Sequence, residues 1–198
     1  MSAGYDAAGN PDGTRNMNPA GIGFWALVAE DYRTHGRDPL SQGFWALFWH
    51  RFGNWRMAVP RPWRAPLSLI YRLMFKFSQI FCGIEAPYSI PIGRRVHFEH
   101  FGGVVLSARG IGDDVILRQN VTLGIAHLER PQDRPLIGDR VQIGAGAAIL
   151  GRIEVGADAV VGANAVVVRD VPPGMQAVGV PARIRPRRGF GAADDPAS

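Results

Sequence analysis

Five histidines and one cysteine are the side chains here best suited to move a proton or attack a carbonyl near neutral pH. An unperturbed histidine, with a pKa of about 6.5, can take the proton of an alcohol as that alcohol attacks an electrophile. His35 and His50 stand in an aromatic-rich first part. His97 alternates with Phe98 and so faces the other way on an extended segment. His100 directly follows Glu99, and His127 lies in a polar stretch. Cys82 closes an apolar helical run without a cationic neighbour to lower its pKa, so no nucleophilic role is expected of it. A single cysteine makes no disulfide framework and no cysteine cage for zinc. No Cys/His group has ligand spacing either, so no metal is expected.

These side chains need a scaffold, and the chain can build one. Of its 198 residues, 46% are hydrophobic and 20% charged, which supports a packed core and excludes global disorder. The formal charge of +5 suggests an anionic ligand or surface. No groove-reading motif accompanies it, so nucleic acid is not expected as a partner. Residues 1–20 hold no apolar segment of the kind a signal peptide needs, and no run long enough to span a membrane follows. The expectation is a cytoplasmic protein with a disordered tail over 1–20.

Composition changes near residue 83. All five tryptophans precede it, from Trp25 to Trp63; after it Gly, Val, Ile and Ala dominate. Residues 21–83 read as an α-helical region. One helix is expected over 22–34, and a second from Gly43 to about Met57 with Ser41 as its cap. A third is expected from near Pro66 to Gly83. In the third, Ile70, Leu73, Met74, Phe77, Ile80 and Phe81 share one face. That face is expected to pack against the rest of the protein. The alternative is a basic amphipathic helix on an anionic membrane, since six basic and no acidic residues lie between Arg51 and Lys76, ends included.

The second part repeats. Ile137, Ile143, Ile149, Val155, Val161 and Val167 recur every six residues, each followed four positions later by Val141, Ala147, Ile153, Ala159, Ala165 or Val171. The same register holds at Ile92, Phe98 and Val104, and again at Ile111, Leu117 and Leu123 after a slip of one residue. A period of six is neither helical nor alternating. It fits a three-sided prism in which each hexad makes one wall and stacked coils pair their backbone edges. The first aliphatic fills the interior, the second small position shares it, and Gly, Asn or Asp turns the corner. The register breaks between Leu123 and Ile137, where residues 124–136 are polar and carry two prolines. They read as a loop projecting from the prism, a place where function often sits.

These hexads, followed by Asp170-Val171-Pro172-Pro173-Gly174 and Val178-Gly179-Val180-Pro181-Ala182-Arg183, resemble the hexapeptide-repeat acyltransferases. From about Asp31 to Arg183 the chain is most similar to serine O-acetyltransferases. The pieces that carry this are Arg37-Asp38-Pro39, Phe81-Cys82-Gly83-Ile84-Glu85, Ile92-Gly93-Arg94-Arg95, Glu99-His100 and Val121-Thr122-Leu123-Gly124. The resemblance implies a mainly β fold, a left-handed parallel β-helix over 84–184, preceded by the helical region and followed by a tail over 185–198. It also implies a homotrimer, or a dimer of trimers, with active sites between neighbouring protomers.

By the same resemblance, His100 is the general base and Glu85 the carboxylate that orients it, although an aspartate is usual there. Asp38 and Glu99 would hold the ammonium of serine, again with Glu99 where an aspartate is usual. Apart from the resemblance, Arg134 is a candidate cation for the carboxylate of an amino acid acceptor, and His127 in the projecting loop a candidate second catalytic or acceptor-binding group. The usual Arg-His-Pro at the loop end reads Asp133-Arg134-Pro135, and the family's Gly-Gly-Thr-Gly-Lys stretch is replaced by Gly124-Ile125-Ala126-His127-Leu128. Acetyl-CoA would be the co-substrate, its arm near Gly144, Ala145, Gly162 and Ala163 and its anionic end near Arg183, with Arg185, Arg187 and Arg188 as further cations. Fifteen residues separate Glu85 from His100, a little under one coil of three hexads. The two are therefore expected to approach on adjacent coils.

The activity implied is acetyl-CoA-dependent acetylation of L-serine, feeding cysteine biosynthesis. The alternatives are O-acetylation of a sugar hydroxyl of an exopolysaccharide or its precursor, or of another small hydroxy compound. A third reading is a non-catalytic scaffold or membrane-docked trimer.

Overall fold

The computed structural model describes residues 11–187. Its helical layer begins with α1 (Phe24–Thr34) and α2 (Gln42–Trp55). Ser41 is the cap its type predicts: its hydroxyl accepts the Phe44 N–H at 3.3 Å. A 3₁₀ turn over Arg56–Ala58 leads to α3 (Arg61–Phe77), which continues as a π-helical turn over Ser78–Cys82. Thus α3 starts a turn earlier than Pro66 suggests. Pro60 caps it and Pro62 sits in its first turn, where no N–H is missed. Pro66 itself is exposed, which leaves the Pro62 carbonyl to solvent. Gly83 ends the run in the left-handed region at φ 61°, and a Cβ there would lie 2.9 Å from the Gly102 Cα.

The apolar face of α3 is not packed inward, contrary to expectation. Leu73 is 59% exposed, Ile80 73% and Phe81 63%, while Ile70 and Phe77 are also exposed. The buried edge of α3 is instead the Tyr71 side. There Tyr71 and Tyr88 meet edge-on and the Arg56 guanidinium lies over both rings. The helix meets the body through an aromatic and cationic contact that apolar periodicity does not reveal.

The rest is a column. Its strands are β1 (Ile84–Glu85), β2 (His97–Glu99), β3 (Val104–Leu106), β4 (Gly110–Ile111), β5 (Ile116–Arg118), β6 (Thr122–Gly124), β7 (Leu136–Ile137), β8 (Gln142–Ile143), β9 (Ala148–Leu150), β10 (Glu154–Val155), β11 (Val160–Val161), β12 (Val166–Val167), β13 (Met175–Val178) and β14 (Arg183–Pro186). They make three walls ordered β1-β3-β6-β9-β12, β10-β7-β4 and β14-β13-β11-β8-β5-β2. Every pairing is parallel except β13 with β14, so this is the left-handed parallel β-helix expected. Ile143, Ile149, Val155 and Val161 on the hexad register are at most 1% exposed, and Val141, Ala147, Ala159 and Ala165 are fully buried. The one-residue slip is absorbed in the corner between β3 and β4.

Corners use the left-handed region, as the hexads require, but not only with Gly, Asn and Asp. Arg95, His100 and Arg140 also adopt positive φ. Two of these are held across coils: Arg95 pairs with Asp114 at 2.6 Å and Arg140 with Asp158 at 2.7 Å.

A buried polar clamp fixes the helices to the first coil. Arg51 and Asp31, both fully buried, pair at 3.0 Å. The same guanidinium donates to the Ile92 carbonyl and, at 2.6 Å, to that of Gly93. His50 donates Nε2–H to the Ile90 carbonyl at 2.9 Å. Residues 11–20, expected as part of a disordered tail, are also tied down. The Met17 N–H donates to Asn54 Oδ1 at 2.9 Å, and Asn18 donates to the Arg51 carbonyl at 3.0 Å. Positions 1–10 lie outside the described residues, as does Arg188. At the other end, 185 and 186 belong to β14 and so to the column, not to a tail.

Candidate active site

His100 sits at a corner, immediately after β2, with φ 68° and an exposed side chain. It opens into a cleft of about 500 Å³ shared with His35, Asp38, Ser41, Gln42, Phe101 and Gln119. The column supplies the imidazole and the α1–α2 connection supplies the carboxylate of Asp38. Asp38 is exposed, and its Oδ1 accepts the Leu40 N–H at 2.8 Å. The Trp45 Nε1–H holds the neighbouring Pro39 carbonyl at 2.8 Å, so the loop bearing Asp38 is braced by α2. A base and a carboxylate therefore face one polar opening. Such a cleft can deprotonate an alcohol and hold a cation beside it.

Sequence reasoning missed His35 and Gln119. His35 is 5% exposed, and its ring is doubly engaged: Nδ1–H donates to the Asp31 carbonyl at 2.8 Å and Nε2 accepts the Phe98 N–H at 3.3 Å. Burial pushes its pKa down to about 4, with the Asp31 carbonyl opposing and His97 adding to the fall. It is neutral in one tautomer. Gln119 stands one coil above His100, since Glu99 pairs with Arg118. Its Oε1 is buried without a hydrogen-bond partner among the described residues. Counting register upward from His100 would have found it.

Other expected site residues fall elsewhere. Glu99 lies outside the cleft lining and turns along the outer wall to pair with Arg118, which holds its carboxyl below the usual range. Glu85 lies on β1, and the residue stacked on it is Val105, five positions past His100. The first coil is longer than three hexads, so the two groups land one corner apart. Glu85 lines a shallow cleft with Gln79 and Gly103, and no hydrogen bond joins it to His100. His127 and Arg134 belong to the projecting loop between β6 and β7. That loop leaves the far edge of the wall that His100 borders. Its base is fixed where Arg109 donates to the Arg134 carbonyl at 3.0 Å. Burial pushes the Cys82 thiol up, which agrees with an inert role.

Gly144, Gly162 and Ala163 line one groove of about 220 Å³ with Arg118 and Gln142. Ala145 is not in its lining; its carbonyl accepts the Asn164 N–H at 2.8 Å. Arg183 lies apart too, beside Arg169 near the end of the column. The small residues also have a plainer cause than ligand approach. A Cβ on Gly144 would stand 2.5 Å from the Ala163 nitrogen of the next coil, so stacking alone demands glycine there.

Residues 134–169 match the family model described as Bacterial transferase hexapeptide (six repeats). The serine acetyltransferase of Mycobacterium tuberculosis is 39% identical over 143 residues, covering 72% of this chain and 60% of that protein. The Synechococcus elongatus serine acetyltransferase is 34% identical over 174 residues, covering 82% and 69%. This chain belongs to the serine acetyltransferase family. Among solved members, the soybean serine acetyltransferase apoenzyme superposes with a TM-score of 0.67 at 35% identity, covering 82% of this chain and 69% of that one. The Brucella abortus serine acetyltransferase in complex with coenzyme A gives 0.68 at 27%, covering 82% and 68%. This chain spans 60% of the length of the Mycobacterium relative and 54% of that from Staphylococcus xylosus.

Proposed function

We propose that this chain is an acetyl-CoA-dependent O-acetyltransferase that converts L-serine to O-acetyl-L-serine for cysteine biosynthesis. His100 takes the hydroxyl proton as the serine oxygen attacks the thioester carbonyl. The tetrahedral adduct then expels the CoA thiolate, which recovers the proton from the imidazolium. Asp38 pairs with the serine ammonium. The observation that carries this reading is the shared cleft of His100 and Asp38 in a member of a family whose soybean representative was solved with serine. The Brucella complex with coenzyme A supports the co-substrate. Its arm is assigned to the groove at Gly144, Gly162 and Ala163.

The working assembly is a homotrimer in the cytoplasm. The wall β1-β3-β6-β9-β12 separates His100 from the loop of the same chain. A neighbour's loop laid across that wall is the economical way to bring His127 and Arg134 to the cleft. Glu85 and the exposed Val105 and Val168 also belong to this wall.

The commitment of Glu99 to Arg118 leaves Asp38 as the one carboxylate in the cleft, and this favours a sugar hydroxyl as the second reading. Thiol release from acetyl-CoA is measured with L-serine against a panel of sugars and hydroxy compounds. Serine-dependent release is expected. Its absence in a preparation that binds acetyl-CoA overturns the serine reading.

A further inference from the structure

Between Asp38 and Glu85 the chain contains no aspartate or glutamate. Three of the six arginines and lysines in that interval are engaged within the fold. Arg51 is buried against Asp31, Arg56 lies over the rings of Tyr71 and Tyr88, and Arg64 bonds the carbonyls of Met57 and Val59. His50, beside them, is buried and neutral, its pKa pushed down to about 3. Arg61, Arg72 and Lys76 remain exposed and form no ion pair with any described residue.

These three cations share α3 with an apolar face that no described residue covers. Trp63 is 71% exposed, Leu69 60% and Leu73 59%; Phe77, Ile80 and Phe81 continue the face into the π-helical turn. At roughly 100° per residue these side chains fall within an arc of about 120°, opposite the buried Tyr71 edge, and the cations flank one side of it. A contiguous apolar patch of this kind on a folded chain marks a docking surface. No helix among the described residues is long and apolar enough to cross a membrane, so α3 would lie on a surface and not span it.

We propose that α3 docks this protein in-plane on an anionic lipid bilayer, with the Leu73 face in the acyl boundary and Arg61, Arg72 and Lys76 against the headgroups. Charge selects this occupant over a second copy. Two such helices packed face to face would bring six cations together without a carboxylate between them, whereas an anionic leaflet supplies the counter-charge. The exposed indole of Trp63 suits the headgroup level. This proposal is independent of the acceptor and stands whichever hydroxyl is acetylated.

The test is flotation of the full chain with vesicles of equal parts phosphatidylglycerol and phosphatidylcholine, and with pure phosphatidylcholine, at low and high salt. Binding to the anionic vesicles, weakened by salt, is the expected result. The triple variant R61Q/R72Q/K76Q keeps the apolar face and should lower partitioning by about two orders of magnitude. L73Q/F77Q should remove binding while leaving the sedimentation mass of the assembly unchanged. Failure to bind, or equal binding to both vesicle types, overturns the proposal. So does a change of assembly mass in L73Q/F77Q with vesicle binding intact, which would assign the face to a protein contact.

Discussion

His35 accepts the Phe98 backbone N–H through Nε2 at 3.3 Å, so a helix-layer side chain holds the strand that immediately precedes His100. Removing that acceptor leaves a buried N–H unpaired, which costs about 1–3 kcal/mol. His35→Phe should therefore lower the urea midpoint and, because His35 lines the same cleft, also raise KM for the acceptor. His35→Gln, which can still accept, should recover most of both. Equal loss in the two variants would show that ring shape, not the acceptor, matters.

Acid should unfold this protein through two histidines. The unfolded chain protonates both as pH falls through about 6.5. Folded His35 stays neutral to about 4 and His50 to about 3. Their contribution is complete above the unfolded value and drains as pH falls toward the folded ones. Between these limits each group steepens the loss of stability by about 1.4 kcal/mol per pH unit. Chemical denaturation at stepped pH, with His50→Asn for comparison, measures the slope; a slope unchanged in the variant would remove His50 from the account.

Turnover should depend on His100 and Asp38 differently. His100→Ala should reduce kcat by about 10²–10⁴-fold while acetyl-CoA still binds. Asp38→Asn should act mainly on KM for serine. A His100→Ala variant that keeps normal kcat would refute the assignment of the base.

If the loop completes a neighbour's cleft, inactive chains should rescue one another. Co-assembling His100→Ala with Arg134→Ala chains should restore a fraction of activity that neither shows alone. Mixing after separate folding, without exchange of protomers, should restore none. A mixture that stays inactive despite proven hetero-assembly would place the whole site in one chain.

Gly144→Ala should destabilise the column by about 1–3 kcal/mol, because the added Cβ meets backbone 2.5 Å away that cannot step aside. Thermal unfolding with and without saturating CoA separates this from a ligand effect: the loss should appear equally in both.

The column was legible because a period of six has one simple closure, and Ile143 or Val161 can occupy its register only by facing inward. The Ser41 cap was legible for the same local reason. What escaped depends on distance in space. Tyr71 reads as part of no apolar stripe, yet it finds Arg56 and Tyr88 and thereby decides which side of α3 is buried. Glu85 and His100 looked like stacked neighbours only while every coil was assumed equal; the longer first coil moves Val105 into the place above Glu85. Glu99 carries a carboxylate beside His100, but strand alternation points it along the wall to Arg118.

The last parallel rung, β13, spends its open edge on β14, which runs the other way and carries Arg183, Arg185 and Pro186. Another column arriving end-on meets a reversed, cationic, proline-bearing border instead of a template for one more turn. A second column is thereby offered no further parallel rung on that wall.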